Sequence, residues 1–191
     1  MHTHLFYNTS ASYRKNMNRT GHFGGSLLMY YAILYMASTN TSSLESLAMS
    51  IIAAAIAASM SVKQDLDNKY FRGIFHRTWI THSLAFVVLA TAATYMVMDY
   101  VLKPGDLTLY ITLAAFCATF SHVTLDSLTK RGVPLFGPFD DKMRGLRMFR
   151  GSSQTLNILF LAAGVIMALI YYGLFDLARP DLSELLRGLW P

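Results

Sequence analysis

The chain has 191 residues, of which 53% are hydrophobic and only 14% are charged, and its net charge is +5. Soluble domains carry about 25% charged residues, so this composition, with a mean hydropathy of +0.36, disfavours a soluble enzyme and favours a membrane protein. The length suits a single domain spanning residues 1–191. The single cysteine, Cys117, excludes a disulfide framework and a thiolate metal site.

Five runs without charged residues follow one another along the chain. They are 17 to 25 residues long and cover residues 20–44, 46–62, 78–98, 107–125 and 151–175. A helix that spans a bilayer needs roughly 20 mostly apolar residues, with a range of about 17 to 25. The pattern predicts an all-α, polytopic membrane protein with about five transmembrane helices. The small residues of the second run suit close helix packing, within the bundle or against a second copy in a homo-oligomer.

The distribution of Lys and Arg predicts the orientation of these helices, because cytoplasmic loops of membrane proteins are enriched in positive charge. Three, four and six Lys or Arg residues lie before the first run, after the second and after the fourth. The remaining three segments hold none, one and two. We therefore expect a cytoplasmic amino terminus in a multi-pass protein of the cytoplasmic (inner) membrane.

Both ends of the chain are predicted to lie outside the bundle. Residues 1–20 are expected to be flexible. The tail "RPDLSELLRGLWP" repeats Leu and Trp at helical spacing with charge on the other face, which predicts an interfacial amphipathic helix over residues 180–190. A cleavable signal peptide ending near Ser38 is disfavoured, because its leader would be unusually long.

Ionisable residues gather at the predicted cytoplasmic ends of the helices. The residues of this set are His22, Asp65, Asp67, His76, His82, His122 and Asp126. Asp126 follows His122 by four residues and shares its helix face. Imidazole nitrogens and carboxylate oxygens are ligands for zinc and, with more oxygen, for manganese or iron. Because ionisable residues within spans are costly and usually functional, the convergence predicts a shared metal site.

Each member of the set also has a simpler interpretation. A lone histidine at a helix end commonly extends toward the membrane interface. His122 and Asp126 could form a hydrogen-bonded pair, and Asp65 and Asp67 could be solvated loop acids. The convergence of four chain segments on one side of the membrane favours the metal site over these alternatives.

Four short blocks form a series along the chain. They are "GHFGGSLL" from Gly21, "QDLDN" from Gln64, "HRTWITHSL" from His76 and "SHVTLDSLTKRGVPLFGPF" from Ser121. In the same order they resemble the Gly-His start, the Pro-Asp-Ile/Leu-Asp-His turn and the two signature blocks of the YdjM-like family of membrane-bound, metal-dependent hydrolases. The resemblance extends from Gly21 to about Ser153.

The resemblance implies a helical membrane hydrolase that draws its metal ligands from histidines and aspartates. It also implies a distant similarity to zinc-dependent phospholipases C and single-strand nucleases, which are all-helical phosphodiesterases. Carried over by position, the ligands are the seven residues of the set above. Seven ligands exceed the four of tetrahedral zinc, so two or three divalent ions would fill the site. With the departures described next, one to three are expected, zinc first and manganese or iron next.

The chain departs from the family pattern at several positions. Gln64 replaces the usual Pro, Asn68 replaces a usual His, and Gln154 is the nearest residue to a position where relatives often carry a carboxylate. His76 and His82 are six residues apart, where five is more common. On a single helix this spacing would put the two side chains on different faces. We therefore expect His76 in the loop before the third span and His82 on the first turn of that span.

Such a site would support hydrolysis by metal-activated water. Asp67, or Asp65, is predicted to bridge metals or orient that water, and Arg77 to offer a bidentate fork to a phosphate. Arg77 could equally be ordinary cytoplasmic charge. The candidate substrate-binding residues are Arg77, Thr81, Thr129 and Arg147.

The predicted substrate is a phospholipid or a lipid-linked phosphoester, because the basic segment "DDKMRGLRMFRG" places positive charge where anionic headgroups lie. Nucleic acid is disfavoured, since the sequence shows no interleaved aromatic and basic groove. Two non-catalytic alternatives stay open. A metal transporter or sensor would need polar residues continuing through its spans, and a scaffold could have kept the fold and lost catalysis.

Overall fold

The computed structural model describes residues 18–37, 43–64 and 78–175. Within them the chain forms six helices: α1 (Arg19–Met36), α2 (Leu44–Lys63), α3 (Trp79–His82), α4 (Leu84–Leu102), α5 (Asp106–Leu128) and α6 (Gln154–Tyr171). These residues contain no sheet, only isolated β-bridges, which confirms the all-α prediction for the described part. The predicted interfacial helix at 180–190 and residues 1–17 of the predicted flexible start lie outside it.

Four helices, α2, α4, α5 and α6, are long and apolar enough to cross a membrane by length and composition. They correspond to the second to fifth predicted runs. The first run forms α1, whose 18 residues are less apolar because Arg19, His22 and three glycines dilute the hydrophobic side chains. The five expected spans therefore become four candidate spans and one helix packed among them.

Helix α1 contacts α2, α5 and α6. Its crossing with α6 is close because both helices carry glycine at the contact. A Cβ atom at Gly24 would collide with the backbone of Leu161, and one at Gly164 would collide with the Gly24 carbonyl oxygen. The sequence GHFGG thus lets α1 lie deep in the bundle, which places its first turn in the protein interior.

The small residues of α2 form one buried face. These residues are Ser50, Ala53, Ala54, Ala57, Ala58 and Ser61. Helix α2 packs against α1 and α5, so this face is used within the bundle. Nearby, the Tyr172 hydroxyl lies 3.0 Å from both the Tyr31 hydroxyl and the Ser50 Oγ. These three hydroxyl groups are therefore paired with one another.

Side-chain caps fix where two of the helices begin. The Asn18 Oδ1 accepts the N–H of Gly21 at 3.1 Å at the start of α1, and the buried Asn157 of α6 accepts the N–H of Asn18 at 3.2 Å. The Ser83 Oγ accepts the N–H of Phe86 at 3.1 Å at the start of α4. Such caps satisfy backbone donors that a helix start otherwise leaves unpaired.

The third predicted span begins later than expected. Ser83 is extended, with φ −116° and ψ 163°, and this break separates the four-residue α3 from α4. The span is therefore Leu84–Leu102 rather than 78–98. The expectation that His82 lies on the first turn of the span is wrong, because His82 ends α3 on the other side of the break.

The segment between α5 and α6, residues 129–150, is called the basic loop here. It folds back onto the end of α5, where the N–H of Leu146 donates to the Ser127 carbonyl at 3.0 Å and the N–H of Met148 to the Leu128 carbonyl at 2.9 Å. These bonds satisfy carbonyl groups at the end of the helix. They also bring the positive charge of the loop to the end of the bundle that holds the histidines.

Candidate metal centre

Four ionisable side chains from three helices meet at one end of the bundle. They are His22 from α1, His82 from α3, and His122 and Asp126 from α5. Helix α1 begins at this end, α5 ends there, and α3 precedes the start of α4, so alternating helix directions bring the four together. Their side chains are 0 to 1% exposed. Burial of this degree is inconsistent with histidines that extend to the membrane interface.

The three imidazoles surround the single carboxylate. The Nε2 of His22 lies 3.7 Å from the Asp126 Oδ1, and the Nε2 atoms of His82 and His122 lie 3.5 and 3.9 Å from the Asp126 Oδ2. These separations are longer than a charge-assisted N–H···O bond of about 2.7–2.9 Å. They are close to the roughly 3.3 Å between two ligands of a tetrahedral zinc ion whose bonds are about 2.0–2.1 Å.

The ring of His122 is oriented by the end of α2. Its Nδ1 lies 2.6 Å from the backbone carbonyl oxygen of Ser61. A carbonyl oxygen only accepts, so this Nδ1 carries the proton, and in the neutral ring the Nε2 has a lone pair that faces Asp126. A lone pair that faces a carboxylate is electrostatically unfavourable unless a cation lies between them. The arrangement therefore fits a metal ion better than a simple pair of His122 and Asp126.

His82 is held in the same manner. Its Nδ1 lies 2.7 Å from the Oγ1 of Thr81, which leaves the Nε2 directed toward Asp126 and 3.2 Å from the Nε2 of His122. Partners on the outer nitrogen of a histidine ligand commonly fix its tautomer and ring orientation in metal sites. Thr81 is thus placed to orient a ligand, and its contact with a substrate stays a prediction.

His22 completes the group from the side of α1. Its ring stacks on that of His122, with centroids 3.8 Å apart and an interplanar angle of 14°. Candidate ligand atoms of His22, His122 and Asp126 all lie within 4.8 Å of one another. The Ser61 Oγ donates its proton to the Ala58 carbonyl at 2.8 Å and lies 3.2 Å from the His22 carbonyl oxygen, so one residue of α2 lies against the backbone of one histidine and orients the ring of another.

Ser61 was not among the predicted site residues. Its contribution to His122 comes from its backbone, and a backbone carbonyl has no signature in a sequence. Only the small size of Ser61 within a helix of small residues hinted at close packing there. Asn157, which connects α1 to the start of α6, was likewise not among the predicted residues.

The other predicted site residues have different outcomes. Those outside the described residues are Asp65, Asp67, His76 and Arg77. Thr129 is fully buried and its Oγ1 donates to the Asp126 carbonyl at 2.8 Å at the end of α5; its role in substrate binding stays a prediction. Arg147 lies exposed in the basic loop, in the left-handed region with φ 53°.

Comparison with known proteins agrees with this architecture. A family model described as YdjM inner membrane protein matches residues 17–181. The match includes all six helices and all four residues of the buried cluster. No curated protein and no solved structure matches the chain.

Proposed function

This chain belongs to the YdjM inner membrane protein family, and from that premise we propose that it is a membrane-bound, metal-dependent hydrolase of phosphoesters. One observation supports the proposal above the others. Three imidazole Nε2 atoms surround one fully buried carboxylate at 3.5 to 3.9 Å, and the ring orientation of His122 points a lone pair at that carboxylate. A divalent cation held between these groups would stabilise them, which supports the proposal.

The donor set fits zinc first. Three imidazoles and one carboxylate are ligands that zinc accepts, and manganese or iron would be favoured by more oxygen donors. A catalytic zinc usually keeps three protein ligands and one open position. We assign His22, His122 and Asp126 to one ion, and we place His82 toward a second ion whose further ligands would be the predicted Asp65, Asp67 and His76.

The chain's own residues would position the reaction. A divalent ion held here would lower the pKa of water toward about 7 and stabilise charge that develops on a phosphoryl oxygen. Ser61 and Thr81 hold the ligand rings in place. Asp67 would orient the attacking water, and Arg77 would hold a phosphate in a bidentate fork.

The substrate we favour is a phospholipid or a lipid-linked phosphoester at the cytoplasmic face. In this arrangement α1 crosses the membrane together with the four candidate spans, because it packs among them, and the amino terminus is cytoplasmic by its charge. The basic loop folds back to the end of the bundle that holds the cluster, where its positive charge would attract anionic headgroups. Membrane lipids are therefore the partners that this function requires.

The first test is the metal content of the detergent-purified full chain, measured by elemental analysis. We expect about one to three equivalents of zinc, manganese or iron in the wild type, and a loss of metal in His122→Ala and Asp126→Asn. Asp106→Asn is the matched control, because Asp106 is an exposed carboxylate at the opposite end of the same helix and should not affect the metal. A metal-free wild type after supplementation would overturn the proposal.

The second test separates the enzyme from the non-catalytic alternatives. Metal-loaded protein should hydrolyse a generic phosphodiester and phosphatidylglycerol in mixed micelles, and Asp126→Asn should not. A scaffold would bind metal and hydrolyse neither. A transporter would move zinc into proteoliposomes. Transport needs polar groups available along the spans, whereas the buried hydroxyls of Ser61, Thr119 and Ser121 each donate to a carbonyl of their own helix.

A further inference from the structure

An apolar groove of about 300 Å³ lies between α1, α5 and α6. Its lining includes Gly25, Leu28, Ala32, Thr124, Leu128 and Phe160. On α5 it extends from Phe120 to Leu128, which is about 12 Å at 1.5 Å per residue. Two of the three helices that form it are candidate membrane spans. In a bilayer, a groove of this composition between such helices would face the hydrocarbon phase.

The groove and the metal centre are separated by one contact between α1 and α5. Gly25 packs directly against the side chain of Leu125, and a Cβ at Gly25 would collide with it. His22 lies one turn before Gly25 on α1, and Asp126 follows Leu125 on α5. The groove therefore reaches the end of the bundle at which the cluster lies.

The basic loop lies next to that end of the groove. The N–H of Met148 donates to the Leu128 carbonyl at 2.9 Å, and the ring of Phe149 lies 6.5 Å from that of Phe160. Leu128 and Phe160 both line the groove. The residues around 148 thus contact the apolar lining and belong to a segment that carries positive charge.

Two arginines supply that charge. Arg147 and Arg150 flank Met148 and Phe149 and are exposed, and neither forms an ion pair with any described residue. Arg144 differs, because its guanidinium is paired with the Asp140 carboxylate and holds the pKa of that carboxyl below its usual range. Arg147 and Arg150 therefore offer charge to a ligand beside Met148 and Phe149, next to the groove.

We propose that this groove binds one acyl chain of an anionic glycerophospholipid, whose phosphate lies at Arg147 and Arg150. The apolar lining matches the chain, and the two guanidinium groups match the charge of the headgroup. The assignment requires neither a metal ion nor hydrolysis. The bound lipid can be the substrate or a permanent structural lipid.

The experiment uses the full chain in nanodiscs that contain phosphatidylglycerol with a photoreactive diazirine on its acyl chain. Cross-linked peptides are identified by mass spectrometry. We expect labelling of the α1, α5 and α6 residues of the groove, and a loss of about tenfold in Ala32→Phe, whose ring fills the groove and removes apolar contact area. Ala93→Phe is the matched control, because Ala93 is exposed on α4 away from the groove.

Two further variants keep the test independent of any single substitution. Thr124→Phe fills the groove from the opposite wall and should reproduce Ala32→Phe. Arg147→Gln with Arg150→Gln should weaken retention of phosphatidylglycerol by roughly fivefold for each arginine and leave retention of phosphatidylcholine unchanged. Lys103→Gln, at the opposite end of the bundle, should have no effect. Size-exclusion profiles identify any variant that is misfolded.

Equal labelling of Ala32→Phe, Thr124→Phe and Ala93→Phe would overturn the inference, and so would labelling spread evenly over the exposed face of α4. Competition by glycerol phosphate alone, as strong as that by the lipid, would show headgroup binding without the acyl chain and would also overturn it. Metal content is measured in the same samples. Lipid binding by a metal-free wild type would reject the proposed function and leave the groove assignment intact.

Discussion

The replacement of Thr81 by Val tests whether this residue orients a metal ligand. The Thr81 Oγ1 is 2.7 Å from the Nδ1 of His82, and the Nε2 of the same ring is 3.5 Å from the Asp126 Oδ2. Valine has the shape of threonine but no hydroxyl group. In Thr81→Val the His82 ring would lose the partner that directs its Nε2 toward the carboxylate.

The expected magnitude follows from the position of His82 among four candidate ligands. Loss of a hydrogen-bond partner behind a ligand typically lowers metal affinity by about 10- to 100-fold, or roughly 1.4 to 2.8 kcal/mol. The ring itself is still present in Thr81→Val, so the effect should be smaller than that of His82→Ala. Thr81→Ser restores the hydroxyl and should recover most of the affinity.

The assay is an equilibrium competition for zinc between the purified protein and a chelator of known affinity. Thr94→Val is the control, because the Thr94 Oγ1 donates to the Ala90 carbonyl within α4, away from the cluster. Unchanged zinc affinity in Thr81→Val would show that Thr81 does not orient a metal ligand. If Thr81 contacts substrate instead, the variant should raise KM for a phosphodiester and leave zinc affinity unaltered.

Three further predictions concern stability, each measured by thermal unfolding in detergent. The buried Tyr30 hydroxyl has no hydrogen-bond partner among the described residues, so Tyr30→Phe should be neutral or stabilising. Tyr31→Phe loses a contact with Tyr172 and should lower the free energy of unfolding by about 1 kcal/mol. Equal losses of stability in the two variants would contradict this. Gly164→Leu should destabilise the protein by about 1–3 kcal/mol or more, because the side chain forces α1 away from α6. Gly105→Ala should not, because there is open space around its Cβ position. Similar melting temperatures for the two variants would be inconsistent with the close crossing. Zinc at roughly 100 times its Kd should stabilise the wild type by about 2.7 kcal/mol and leave a variant without the cluster's carboxylate unaffected; stabilisation of both would place the zinc elsewhere.

The long helices of the bundle were largely predictable from the positions of charged residues. A helix that spans a bilayer must be apolar over about 20 residues, so the charged side chains of Lys63, Asp106 and Arg150 mark helix boundaries or lie near them. The same reasoning predicted that His22, His82, His122 and Asp126 lie at one end. It was less accurate for α1, whose Arg19, His22 and glycines lower its hydropathy too far for it to qualify by composition, although the glycines allow it to pack among the other helices.

The number, order and alternating direction of the long helices follow from the amino-acid pattern alone. Each span must lack charge to cross an apolar phase, and that condition acts on each segment separately. Which side chains touch one another depends instead on how the helices pack. The break at Ser83 places His82 on α3, the glycine contact between α1 and α6 brings His22 against His122, and a backbone carbonyl at Ser61 fixes the ring of His122. Each of these depends on distances of a few ångströms between segments far apart in the chain, and such distances are set by packing rather than by spacing along the sequence.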